Sequence, residues 1–205
     1  MGKFKEWKDE ILRHKYLILL SIIFLIIAVV LNSLAGNYAD RKGTVAVPDL
    51  ILDNIPTLDL DFLFVYGIIA ILIIFLIYTL FFKTKELHIV ISQFSLLVLI
   101  RSFFVTLTHL SMPVNALIYT IPKFFELFDF KNALFFSGHT ATPFLGFLLF
   151  RKEKIGIFFL IATIIMALTV LFMHVHYSID VFSALFITYG SYKIGNWFFK
   201  KLNHD

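Results

Sequence analysis

Long apolar runs, broken by short clusters of charge and proline, divide this chain into six segments. Each approaches the 20 or so residues that a helix needs to cross a bilayer. They fall at 16–36, 62–82, 88–110, 133–150, 155–174 and 179–199. The fourth is short and has the least sharply marked start, because polar residues crowd its beginning. The first follows a basic arm of about fifteen residues, and its apolar stretch exceeds that of a secretory signal, so it reads as an uncleaved first helix. Within the arm, Phe4, Trp7, Ile11 and Leu12 recur at helical spacing among lysines. That pattern fits either a helix lying on the membrane surface or an ordinary solvated leader. No repeat or low-complexity tract intervenes. The expected fold is an all-α integral membrane protein. It is a single six-helix domain over 1–205, with an N-terminal arm (1–15) and one long loop (37–61).

Composition strengthens this picture. Of the 205 residues 60% are hydrophobic, more than a soluble domain of this size can hide, so the bilayer must act as solvent. There is no cysteine, which excludes disulfides, thiolate nucleophiles and cysteine-ligated metal. The net charge of +4 matters less than its distribution. Lys3, Lys5, Lys8, Arg13, Lys15, Lys83, Lys85, Arg151, Lys152, Lys154, Lys193, Lys200 and Lys201 fall on one side of the six-span topology. The other side has Arg41, Lys42, Lys123 and Lys131, and Arg101 lies inside a span. By the positive-inside rule both termini are cytoplasmic.

On that topology Arg101, His139, His174 and Asp180 come from separate parts of the chain yet share the non-cytoplasmic half of the bilayer, roughly 0–14 Å deep. Ionisable groups are expensive there and mark function. The 37–61 loop on the same side carries Asp40, Asp49, Asp53, Asp59 and Asp61; it reads as a solvated connector in preference to a lid.

Two stretches concentrate the chemistry: Phe135 to Thr140, containing FSGHT, and His174 to Asp180, HVHYSID. His176 and Asp180 are four apart, so if helical they stack on one face. A carboxylate on one ring nitrogen fixes the tautomer and leaves the other nitrogen to attack. Ser137 and Gly138 precede His139 near the start of a span, where helix N–H groups would meet an anion. His139 could then protonate a leaving oxygen. Arg101 offers a fork that fits phosphate. The set suits phosphoryl transfer through a phosphohistidine without metal. The same histidines and Asp180 could instead ligate zinc or iron. A packed polar cluster lining a cavity in a non-enzymatic transporter, scramblase or structural bundle is the third reading. His88, His109 and His204 are assigned no role.

FSGHT and HVHYSID resemble the paired signatures of the sphingomyelin synthase-related family, within the type-2 phosphatidic acid phosphatase superfamily. Ser178 replaces the family's usual Thr, and Arg101, Thr108 and Pro113 are similar to a third family element. The resemblance runs from about the second span onward. It implies a six-helix bundle of the phosphatase kind, with His176 as nucleophile, Asp180 its partner and His139 the second catalytic histidine. Arg101, Ser137, Gly138, His174 and Tyr177 would bind the phosphate. The activity implied is transfer of a phospho-headgroup from a phospholipid donor to a lipid-alcohol acceptor in the non-cytoplasmic leaflet, with no cofactor and no nucleic-acid partner. A lipid phosphate phosphatase using the same site is the alternative. One departure bears on that choice: the family's Gly-Asp ahead of FSGH is here Asn132-Ala133.

Overall fold

A computed structural model describes residues 2–43, 45–123 and 130–199. The tail residues Lys200, Lys201 and His204 lie outside them. Among the described residues seven α-helices follow one another: α1 (Gly2–Arg13), α2 (Lys15–Lys42), α3 (Asp61–Phe82), α4 (Leu87–Leu107), α5 (Gly138–Phe150), α6 (Lys154–Phe172) and α7 (Ser178–Phe199). Among the described residues there is no strand, only a parallel bridge between Val45 and Leu110. Among the described residues four helices are long and apolar enough to cross a membrane: α2, α3, α4 with the turn before it, and α6.

At the other two expected spans the helices differ from the expected limits or composition. α5 is helical only from Gly138, so the segment 133–137 is not part of it. Its 13 residues rise only about 20 Å. The cause is Arg101, which draws the carbonyls of Ala133 and Phe136 out of any helical ladder. α7 is long enough, but Asp180, Ser183, Thr188, Ser191, Lys193 and Asn196 dilute its apolar character. The loop expected at 37–61 also shortens, because α2 continues through Lys42.

Packing follows from residue size. α2 lies along α4 and turns Ala28, Ala35 and Ala39 inward, a small-residue seam that lets backbones approach. Its other faces expose Leu19, Leu20, Ile23, Ile26, Ile27 and Val30, as a lipid-facing helix does. α5 lies against α6 and α7. Gly146 makes the first contact possible: a Cβ there would sit 2.6 Å from the Phe159 ring. Phe75, Phe150, Phe159 and Met166 fill the space between α3, α5 and α6.

The N-terminal arm is a separate helix, docked on the end of α3. Trp7 donates from Nε1 to the carbonyl of Leu80 at 2.9 Å and stacks on Phe81, while Phe4 and Leu12 stay exposed.

Candidate active site

The turn between α6 and α7 is built by the end of α6. Val175 N–H bonds to Val170 O (3.1 Å) and His174 N–H to Leu171 O (3.0 Å), with His174 at φ 54°. This is the Schellman arrangement, which places one left-handed residue just past a helix and usually reserves it for glycine. A histidine there is strained, and such strain points toward function.

Two carboxylates cap α7. Asp180, in its first turn, reaches back with Oδ2 to the N–H of Tyr177 (3.0 Å), half of a capping box. The same oxygen receives His176 Nδ1 at 3.2 Å. With Nδ1 protonated toward the carboxylate, Nε2 keeps its lone pair. The second cap comes from far away: Asp49 Oδ2 accepts the Ser178 N–H at 2.7 Å, while its Oδ1 accepts from Ile51 and Leu52.

α5 meets α7 through one backbone bond, the Ser137 N–H to the carbonyl of Asp180 at 3.1 Å. This bond joins FSGHT to HVHYSID. Ser137 is the N-cap of α5, yet its hydroxyl makes no cap bond. The first N–H groups of the helix, from Gly138 to Thr140, have no intrahelical acceptor and form a natural anion cradle. His139 stacks on Phe64 with ring centroids 4.0 Å apart, within electrostatic reach of His176 and Arg101.

Arg101 lies beneath Gly138, its Nε 3.4 Å from where a Cβ would stand. It donates to Phe136 O (3.2 Å), Ala133 O (2.7 Å) and the Asn32 side chain (3.0 Å). Three of its five N–H groups thus hold protein oxygens, which leaves two for an anion. Its observed task is to shape the 133–136 segment.

The structure brings His139, His176, Asp180, Arg101, Ser137 and Gly138 together at the meeting of α4, α5 and α7. His174 and Tyr177 stand beside them in the turn. Tyr177 is 1% exposed and acts as a tether: its hydroxyl accepts the Val47 N–H (3.1 Å) and donates to Ser111 O (3.0 Å). Among the described residues, Ser137 Oγ, Thr140 Oγ1, His174 Nε2 and Asp180 Oδ1 are buried without a hydrogen-bond partner. Unsatisfied buried polar atoms are costly; others, among them Gln93 Oε1, Thr188 Oγ1 and Ser191 Oγ, lie elsewhere in the bundle. Also among the described residues, no set of three or more His, Asp or Glu side chains converges as metal ligands.

Sequence reasoning missed Asn32, Phe64 and Asp49. The loop expected to be a solvated connector is pinned instead: Asp49 binds α7, Val47 binds Tyr177, and the Leu58 N–H bonds to Phe172 O at 2.8 Å. Pro48-Asp49 followed by a short 3₁₀ turn was the available signal, since an Asp that accepts N–H groups two and three residues on is a local turn former. Comparison with protein-family models, with curated proteins and with solved structures returns no match for this chain.

Proposed function

We propose that this chain is an integral-membrane lipid phosphotransferase working through a phosphohistidine. The observation that carries the reading is the bond from Ser137 N–H to Asp180 O, which sets the α5 N-terminus and His139 against the His176–Asp180 pair. In this reading α5, with the segment before it, and α7 complete six spans with both termini cytoplasmic. The site then opens toward the non-cytoplasmic leaflet.

The steps balance. His176 Nε2 attacks phosphorus, a P–N bond forms, and the P–O bond to the diacylglycerol breaks. His139 supplies the proton that the departing alkoxide takes. The acceptor hydroxyl then gives its proton back to His139 as its oxygen attacks phosphorus, and the P–N bond breaks. Asp180 holds the His176 tautomer throughout, and the α5 N-terminus faces the charge on the phosphoryl oxygens.

Hydrolysis by water at the same intermediate is the second reading, favoured by one observation. Where the resembled family carries a carboxylate, this chain has buried Ala133, and the neighbouring Asn132 is bound to Asp40 and Met112. The carboxylate beside this segment is instead that of Asp40 on α2, and its Oδ1 is engaged by the Asn132 N–H. A labelled phospholipid supplied to purified protein with chelator, with and without a lipid alcohol, tests both. A new phospholipid that requires acceptor and vanishes in His176→Ala supports transfer. Release of a phosphomonoester regardless of acceptor supports hydrolysis. No turnover of any phospholipid by folded protein overturns both.

A further inference from the structure

The departing alkoxide of the proposed transfer needs a proton, so the imidazole of His139 must hold one in the site. Its surroundings work against that. Arg101, a permanent cation, lies within electrostatic reach of the ring, and a second positive charge beside it is costly where water is excluded. Asp180 is already engaged by His176 Nδ1 and the Tyr177 N–H. What stands against the imidazole is the face of Phe64 on α3, nearly parallel at 18°, with the ring centroids 4.0 Å apart. An aromatic face carries partial negative charge and attracts a cation within about 6 Å of its centroid.

Phe64 is itself held in place. It is buried, its ring meets that of Tyr119 at 4.6 Å, and it packs in one apolar cluster with Val170, Met173, Val175 and Val181. Val175 precedes His176 and Val181 follows Asp180. The cluster that sets the Phe64 face against His139 therefore also backs the turn that carries His176. We infer that Phe64 is a positioning residue for proton transfer: its face fixes the His139 imidazole and favours the protonated ring. The inference rests on the phosphotransfer reading and adds the group that readies its acid. An aliphatic side chain could fill the same space but would offer no negative face, so packing and electrostatics forecast different results.

The test uses the full chain in lipid nanodiscs and two donors. One is a labelled phospholipid, whose alkoxide leaves only with a proton; the other is a p-nitrophenyl ester of the same phospho-headgroup, whose phenolate leaves without one. Phe64→Leu is expected to slow turnover of the phospholipid by about tenfold, and of the aryl ester by less than about threefold. Mono-, di- and trifluorinated phenylalanine at position 64 keeps the shape of the ring while draining charge from its face. That series should slow the phospholipid reaction stepwise, leave the aryl ester unaffected and hold the unfolding midpoint constant. Equal losses on the two donors in Phe64→Leu, or a phospholipid rate indifferent to fluorination, would overturn the inference and leave the phosphotransfer reading standing. No turnover of either donor by the folded, unsubstituted protein would sink the reading and the inference with it.

Discussion

At the end of the bundle where α3 turns into α4, Glu153 receives both Lys83 Nζ and the Tyr78 hydroxyl, and Trp7 bonds to Leu80 O. At the opposite end, Asp180 Oδ1, Ser137 Oγ, Thr140 Oγ1 and His174 Nε2 are buried without partners among the described residues, and His174 sits in the left-handed region. The first end pairs Lys83, Glu153 and Tyr78 near the surface, where such pairs contribute modestly to stability, although Gln93 Oε1 and Ser191 Oγ, between α4 and α7, are also buried without partners among the described residues. The second keeps polar atoms unpaired in the interior and a strained residue beside them. Unpaired interior polar atoms occur in both regions; what distinguishes the second is the left-handed His174 close to the His176–Asp180 pair. The contrast makes the two ends respond differently to substitution.

The largest difference is expected at His176 and Asp180. In the proposed mechanism His176→Ala should lower turnover by about 10³-fold or more, because the proposed nucleophile would act as a unit with its partners. Asp180→Asn should cost a similar factor by releasing the tautomer, and should also loosen α7, since Asp180 caps the Tyr177 N–H. Lys83→Ala, at the other end, should leave turnover within about twofold and cost less than 1 kcal/mol. Turnover with each lipid donor, set beside thermal unfolding in detergent, checks all three. A turnover loss for Lys83→Ala as large as that for His176→Ala would erase the contrast.

Arg101 comes next, with an effect on stability before activity. Arg101→Met removes three donors and leaves the carbonyls of Ala133 and Phe136 unsatisfied, a loss of about 2–3 kcal/mol. Arg101→Lys keeps the charge without the fork and should recover less than half of that. Full recovery by Lys would mean that charge alone matters. Unfolding midpoints of the two variants decide it.

Arg101 also explains what the sequence could and could not disclose. The apolar runs located α2, α3, α4 and α6 because membrane helices are written locally, as about 20 apolar residues in sequence. The His176–Asp180 pair was legible as a short spacing within one segment, although His176 sits in the turn before α7 and meets Asp180 because that carboxylate reaches back over the helix start, not because the two share a helix face. The start of α5 was not, because it is fixed by a guanidinium more than thirty residues away that takes the carbonyls a helix would have used. Nor was the pinning of the 45–58 loop, which depends on Asp49 meeting Ser178 and Val47 meeting Tyr177. Side chains that satisfy backbone groups across the fold leave no periodicity to read.

The Asp49 contact predicts a dependence on pH. Burial pushes its carboxyl up, but the N–H groups of Ser178, Leu52 and Ile51 more than offset this and hold it below its ordinary value of 3.8. A carboxyl lowered on folding stabilises above its unfolded pKa, and that contribution disappears as pH falls through the lower folded value. Docking of the loop on α7 should therefore be complete at neutral pH and weaken only below pH 3.8. Limited proteolysis within 45–58 as a function of pH measures it. Asp49→Asn should expose the loop at every pH. A loop equally protected in that variant would mean that Tyr177 and Leu58 hold it unaided.

The smallest effect asks whether the strain at His174 is incidental. Glycine at that position meets the left-handed geometry without a Cβ penalty, so His174→Gly should stabilise the fold by about 0.5–1 kcal/mol. Turnover should nevertheless fall several-fold, because the glycine removes the buried Nε2 of a side chain that lines two clefts between the 46–57 loop and the turn before α7. His174→Asn separates the two contributions: Asn tolerates left-handed geometry nearly as well as glycine and returns a polar side chain. It should keep most of the stability gain and recover part of the turnover. If His174→Gly gained stability with turnover unchanged, the left-handed histidine would be a feature of the turn alone. The unpaired polarity at this end would then belong to Ser137, Thr140 and Asp180 without it.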